Sequence, residues 1–96
     1  MAAGREGRRV REASRWALRR LYYRQQAHRR AHGRYASDLA TLGVSDIRVD
    51  GLDFRPTLQV TDSLFEISAP GLDGATVRIR SDGRVWIETG RKETRE

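Results

Sequence analysis

Ninety-six residues with a net charge of +6 are enough for one domain and for a modest core. The chain has no cysteine, which excludes disulfides, thiolate zinc sites and cysteine nucleophiles. No apolar run approaches the ~20 residues that cross a bilayer, and the charged opening "MAAGREGRRVREAS" lacks the hydrophobic segment of a secretory leader.

The expected compartment of the chain as given is therefore the cytoplasm, or an extracytoplasmic one if it is cut from an exported parent. Charge is unevenly placed. Residues 1–34 hold eleven arginines against Glu6 and Glu12, a balance of +9. The remaining residues balance to −3, with eight basic and eleven acidic side chains. This asymmetry points to an interaction surface on the first third of the chain.

Residues 1–9 read as a flexible basic arm, followed by one domain over 10–89 and a polar tail over 90–96. From Val10 to His32 there is neither Pro nor Gly, which suits one long helix. Val10, Ala17, Leu18, Leu21 and Tyr22 recur at helical spacing on one face, shared with Ser14, Gln25 and His28. Arg8, Arg15, Arg19 and Arg30 fall opposite and form the candidate surface for an anionic partner. Trp16, Tyr23 and Ala27 make a second apolar strip. Gly33 is placed to stop the helix. A short second helix follows in "SDLATLG", with Ser37 as its cap and Gly43 as its end.

After Gly43 the period changes from helical to alternating. "DIRVD", "TLQV", "LFEISA" and the two halves of "TVRIRSDGRVWIE" each read as strands. Asp82-Gly83 is a tight-turn signal, because Gly83 can take a positive φ. Helices first and antiparallel strands afterwards predict an α+β domain. In it, a long and a short helix pack on a sheet of about four strands.

Candidate chemistry is sparse. His28 and His32 stand four apart, yet two ligands do not complete a metal site and the HExxH glutamate is absent. No catalytic constellation can be assigned, the glycines fit no phosphate-binding spacing, and no cofactor is expected. The arginines with Trp16, Tyr22 and Tyr23 suit weak, non-specific contact with nucleic acid.

"WALRRLYYRQQAHRRAHGRYASDLATLG" resembles a segment in the C-terminal region of bacterial family-9-like carbohydrate-binding proteins. It is also similar to the helix-to-sheet junction of type IV pilins and pseudopilins, and "VRIRSDGRVW" resembles the strands that close such domains. The resemblance covers about residues 14–88. It implies a pilin-like fold, with Tyr22, Tyr35, Leu39, Leu42, Gly83 and Trp86 as structural anchors, to which the apolar face of the helix adds Leu21. Pilins carry a hydrophobic N-terminal half-helix where this chain is arginine-rich. In the carbohydrate-binding proteins, sugar binding belongs to an upstream β-sandwich. The implied role is a non-enzymatic accessory or protein-interaction domain, whose partner is another protein or a covalently linked neighbouring domain. The alternative is a small basic nucleic-acid-binding protein that uses the arginine-rich helix.

Overall fold

The computed structural model describes residues 2–88, with side chains from residue 7 onward apart from Asp73. The long helix α1 runs Ala2–His32. It begins well before Val10, the expected start. Residues 2–9 contain no proline, and their alanine, arginine and glutamate residues favour helix, so an already packed helix extends through them despite Gly4 and Gly7. Gly7 lies against the loop at Leu72, where an added Cβ would stand 4.0 Å from the leucine Cδ1. The polar tail expected over 90–96 lies outside the described residues.

Gly33 ends α1 with φ 82° and donates its N–H to the Arg29 carbonyl at 2.7 Å. The chain then reverses into α2, Leu39–Leu42. Its cap is Asp38 and not Ser37 as expected: the Asp38 carboxylate accepts from the Thr41 N–H at 2.8 Å and the Thr41 hydroxyl at 2.7 Å. These bonds stabilise the ionised form and lower the Asp38 pKa. Gly43 closes the helix in the left-handed conformation, φ 75°.

The expected strand "DIRVD" does not form. Ile47 N–H bonds the Val44 carbonyl at 3.0 Å and Leu52 N–H the Val49 carbonyl at 3.1 Å. The backbone turns twice within nine residues, the second time through Gly51 at φ 86°. No extended run survives to pair, although Ile47 and Val49 are buried as their alternation implies.

The sheet comprises β1 (Thr57–Val60), β2 (Phe65–Pro70), β3 (Thr76–Arg80) and β4 (Val85–Glu88). The strands are antiparallel neighbours in chain order. A short 3-10 helix, Leu72–Gly74, links β2 to β3. The register aligns Leu58, Ile67, Ile79 and Val85 in one row, with Ala69, Val77 and Ile87 in another. These rows face α1, and Leu18, Leu21, Ile67 and Ile79 are completely buried between the two layers. The α+β architecture expected from the order of elements is the observed one.

Two buried polar residues sit on the inner face of α1. Gln25 is fully buried and clamps Ala36: its Nε2 donates to the Ala36 carbonyl at 3.0 Å, and its Oε1 accepts from the Ala36 N–H at 2.7 Å. This pair of bonds fixes the chain just after its reversal at Gly33. Ser14 is also buried, and its hydroxyl has no partner among the described residues.

Candidate interaction surface

Helical spacing turns Trp16, Arg20, Tyr23 and Ala27 away from the sheet, at intervals of four, three and four residues. Trp16 and Tyr23 are 55% and 60% exposed, unusually open for such large side chains. The Arg19 guanidinium lies 5.0 Å from the centroid of the Trp16 ring. Tyr22 braces Tyr23 edge-on, with centroids 5.3 Å apart. Both aromatics are thus held in place while an outward surface remains open. Arg20, Ala27 and Arg30 are exposed beside them.

The four arginines assigned to an anionic-partner surface divide. Arg15 reaches Glu12 at 3.4 Å and is partly neutralised. Arg8, Arg19 and Arg30 have no carboxylate partner among the described residues. Arg15 and Arg19 share their flank of α1 with Tyr22 and Gln26, at positions 15, 19, 22 and 26. Gln26 donates to the Ser81 carbonyl at 3.4 Å. The β3–β4 turn therefore sits beside this flank, with Gly83 at φ 87° facing the Tyr22 hydroxyl.

The expected anchors occupy three environments. Leu21, Tyr35 and Leu42 are buried, while Tyr22 and Leu39 are partly buried against the core. Tyr35 packs edge-on against Phe65, with centroids 4.8 Å apart, and its hydroxyl accepts from Arg29 at 3.0 Å. Gly83 provides the tight turn. Trp86 instead lies on the outer face of the sheet, because it pairs with Arg78 while Val85 and Ile87 point inward. There the Arg80 and Arg84 guanidiniums stand 5.2 and 5.6 Å from its ring. Arg78 bridges Glu66 at 2.6 Å and Glu88 at 2.9 Å on the same face.

Arg24 has a structural task that the sequence pattern did not indicate. It donates to both Asp46 oxygens at 3.0 and 2.8 Å and to the Gly43 carbonyl, which ties the loop after α2 to the long helix. The hydrogen bonds from Arg24 pull the Asp46 carboxyl down to about 2. Nothing local in the sequence pairs residues 24 and 46. Gln25 did carry a signal, since an amide inside an apolar stripe needs a buried partner.

An open cleft of about 620 Å³ is lined by residues that include His28, Arg34, Ser37, Thr41 and Asp62. His28 Nδ1 bonds the Arg34 carbonyl at 2.9 Å. No hydrogen bond joins the imidazole to Ser37 or Asp62. The His28 and His32 rings lie 4.4 Å apart. No group of three His, Cys, Asp or Glu side chains among the described residues could hold a metal ion. No described helix is long and apolar enough to cross a membrane.

Comparison with protein-family models, with curated proteins and with solved structures finds no significant match.

Proposed function

We propose that this chain is a non-catalytic protein-interaction domain that docks through the outer face of α1. The observation that carries this reading is the outward display of Trp16 and Tyr23 on a helix whose opposite face is packed against the sheet and the segments that follow α1. Exposed aromatics on a rigid element favour recognition, because they offer large contact area at small cost in conformational entropy. The resemblance over residues 14–88 supports the finer proposal: an accessory module of pseudopilin-like shape, belonging to or derived from an exported carbohydrate-binding protein.

A second reading, weak nucleic-acid binding, draws on Arg8, Arg19 and Arg30, which have no carboxylate partner among the described residues. Such binding would rest on counterion release and fall steeply with salt.

The test places a photo-crosslinking amino acid at Tyr23 and, as a control, at Arg55, an exposed position in the segment before β1. In cells of the native host, a discrete protein adduct is expected from position 23 and not from position 55. No protein adduct at position 23, or equal adducts at both positions, overturns the reading.

A further inference from the structure

We infer that the outer face of α1 takes an acidic amphipathic helix from a partner protein, laid along the seam formed by Trp16, Tyr23 and Ala27. The inference rests on the reading of that face as a protein-docking surface and adds the chemistry of the partner.

Three observations select this occupant. The first is periodicity. Trp16, Tyr23 and Ala27 recur at seven and four residues, the spacing by which one helix presents a seam to another. Trp16 and Tyr23 lie about 10.5 Å apart along the axis, two turns of helix. A helical partner with apolar residues at the same interval meets both rings in register.

The second observation is charge. Arg19 and Arg20 flank the seam on its two sides, and exposed Arg9 and Arg30 extend it towards the two ends of α1. Among the described residues the nearby carboxylates are already engaged: Glu12 pairs with Arg15, and Asp46, whose charge is felt by Arg20, is held by Arg24. A second copy of the chain would set arginine against arginine, so self-association through this face is electrostatically opposed. A partner with glutamate or aspartate beside its apolar seam gains attraction along the whole contact.

The third observation separates a helix from a nucleic-acid strand. Base stacking needs a free ring face. Arg19 already covers the Trp16 ring at 5.0 Å, and Tyr22 meets Tyr23 edge-on. What remains open suits side-chain packing along a ridge better than insertion of a planar base.

The inference is tested with a fluorescent 21-residue peptide of three heptads. It carries leucine at the two seam positions and glutamate at the flanking positions, and is titrated into the full chain and read by anisotropy. The same peptide with lysine for glutamate and a 20-nucleotide oligothymidine serve as comparisons. The glutamate peptide is expected to bind and the lysine peptide not to bind. The double variant Trp16→Ala/Tyr23→Ala should weaken binding about tenfold or more, as loss of central aromatic anchors does. Its melting midpoint should stay within a few degrees, since both rings are exposed. Charge reversal, Arg19→Glu with Arg20→Glu, should exchange the preference and let the lysine peptide bind.

No binding of the glutamate peptide, or equal binding of both peptides, overturns the inference. So does binding of oligothymidine alone that is lost in the Trp16/Tyr23 variant, which would make this a nucleic-acid face. A protein adduct at position 23 whose mapped segment is not acidic and helical would sink the inference while leaving the protein-docking reading intact.

Discussion

The two faces of α1 share one backbone, yet they invert the usual assignment of residue types. The inner face buries Ser14 and Gln25 at 2% and 0% exposure. The outer face leaves Trp16 and Tyr23 more than half exposed. Side-chain polarity alone would place these four residues the other way round. What decides is the surface opposite. The inner face meets the apolar rows of β2 and β3, and Gln25 is admitted there because both ends of its amide find the Ala36 backbone. The outer face has no described element above it, and its aromatics are held by neighbours on the same helix.

This contrast is open to direct challenge. Its largest expected effect lies in the core. Leu18→Ala removes a completely buried side chain and should cost about 2–5 kcal/mol. Trp16→Ala removes a larger side chain from the outer face and should cost less than about 1 kcal/mol, in line with other surface substitutions. Urea melts of the two variants check the pair. A larger loss from Trp16→Ala would show that the outer face is already covered within the folded chain.

Gln25→Leu sharpens the inner half of the comparison. It keeps the approximate volume but strands the Ala36 N–H and carbonyl in the core. Leaving these groups unpaired should cost about 2–3 kcal/mol. The Ala36 amide should then exchange faster with solvent deuterium than the amides of β3. An unchanged urea midpoint would mean that apolar packing on this face has no need of the clamp.

Ser14→Ala should move stability the other way. The buried hydroxyl has no partner among the described residues, so its removal relieves a desolvation penalty and places a better helix former at that position. A gain of about 1 kcal/mol is expected from the same melts. A loss would reveal a hydrogen bond that holds the hydroxyl.

The smallest effect belongs to the Arg24–Asp46 tie, where α1 meets the loop after α2. The Asp46 carboxyl is depressed to about 2 by Arg24, below the ordinary value near ~3.9. A depressed carboxylate contributes stability that is fully present above its unfolded pKa, and that contribution disappears as pH falls through the folded value. The window therefore lies between about pH 4 and pH 2. Asp46→Asn should flatten the acid dependence of the melting midpoint within this window and leave the shape above pH 5 unchanged. Because the Asp46 side chain is 64% exposed, the change should be small and should shrink further in high salt.

Periodicity and turn chemistry by themselves determined the long helix, the stop at Gly33, the four strands and the Asp82-Gly83 turn. Each depends on residues close in the chain: apolar spacing of three and four for α1, alternation for the strands, and positive φ for the glycines. They also separated the face of Leu18 and Leu21 from the strip of Trp16 and Tyr23. Tertiary structure decided which of these surfaces would be covered, because that depends on which elements meet. It left Trp86 on the outer face of the sheet, where the pairing register turns Val85 and Ile87 inward. It also turned "DIRVD" into two tight turns, although Ile47 and Val49 kept the inward positions that alternation assigns. The candidate surface was half legible: its arginines stood out by number, but the value of each depended on distant carboxylates. Arg24 finds Asp46 across 22 positions and becomes a brace, whereas Arg19 finds a tryptophan three residues away and keeps its charge available. Local pattern cannot distinguish two such arginines, because the partner that neutralises one of them is brought close only when the chain folds.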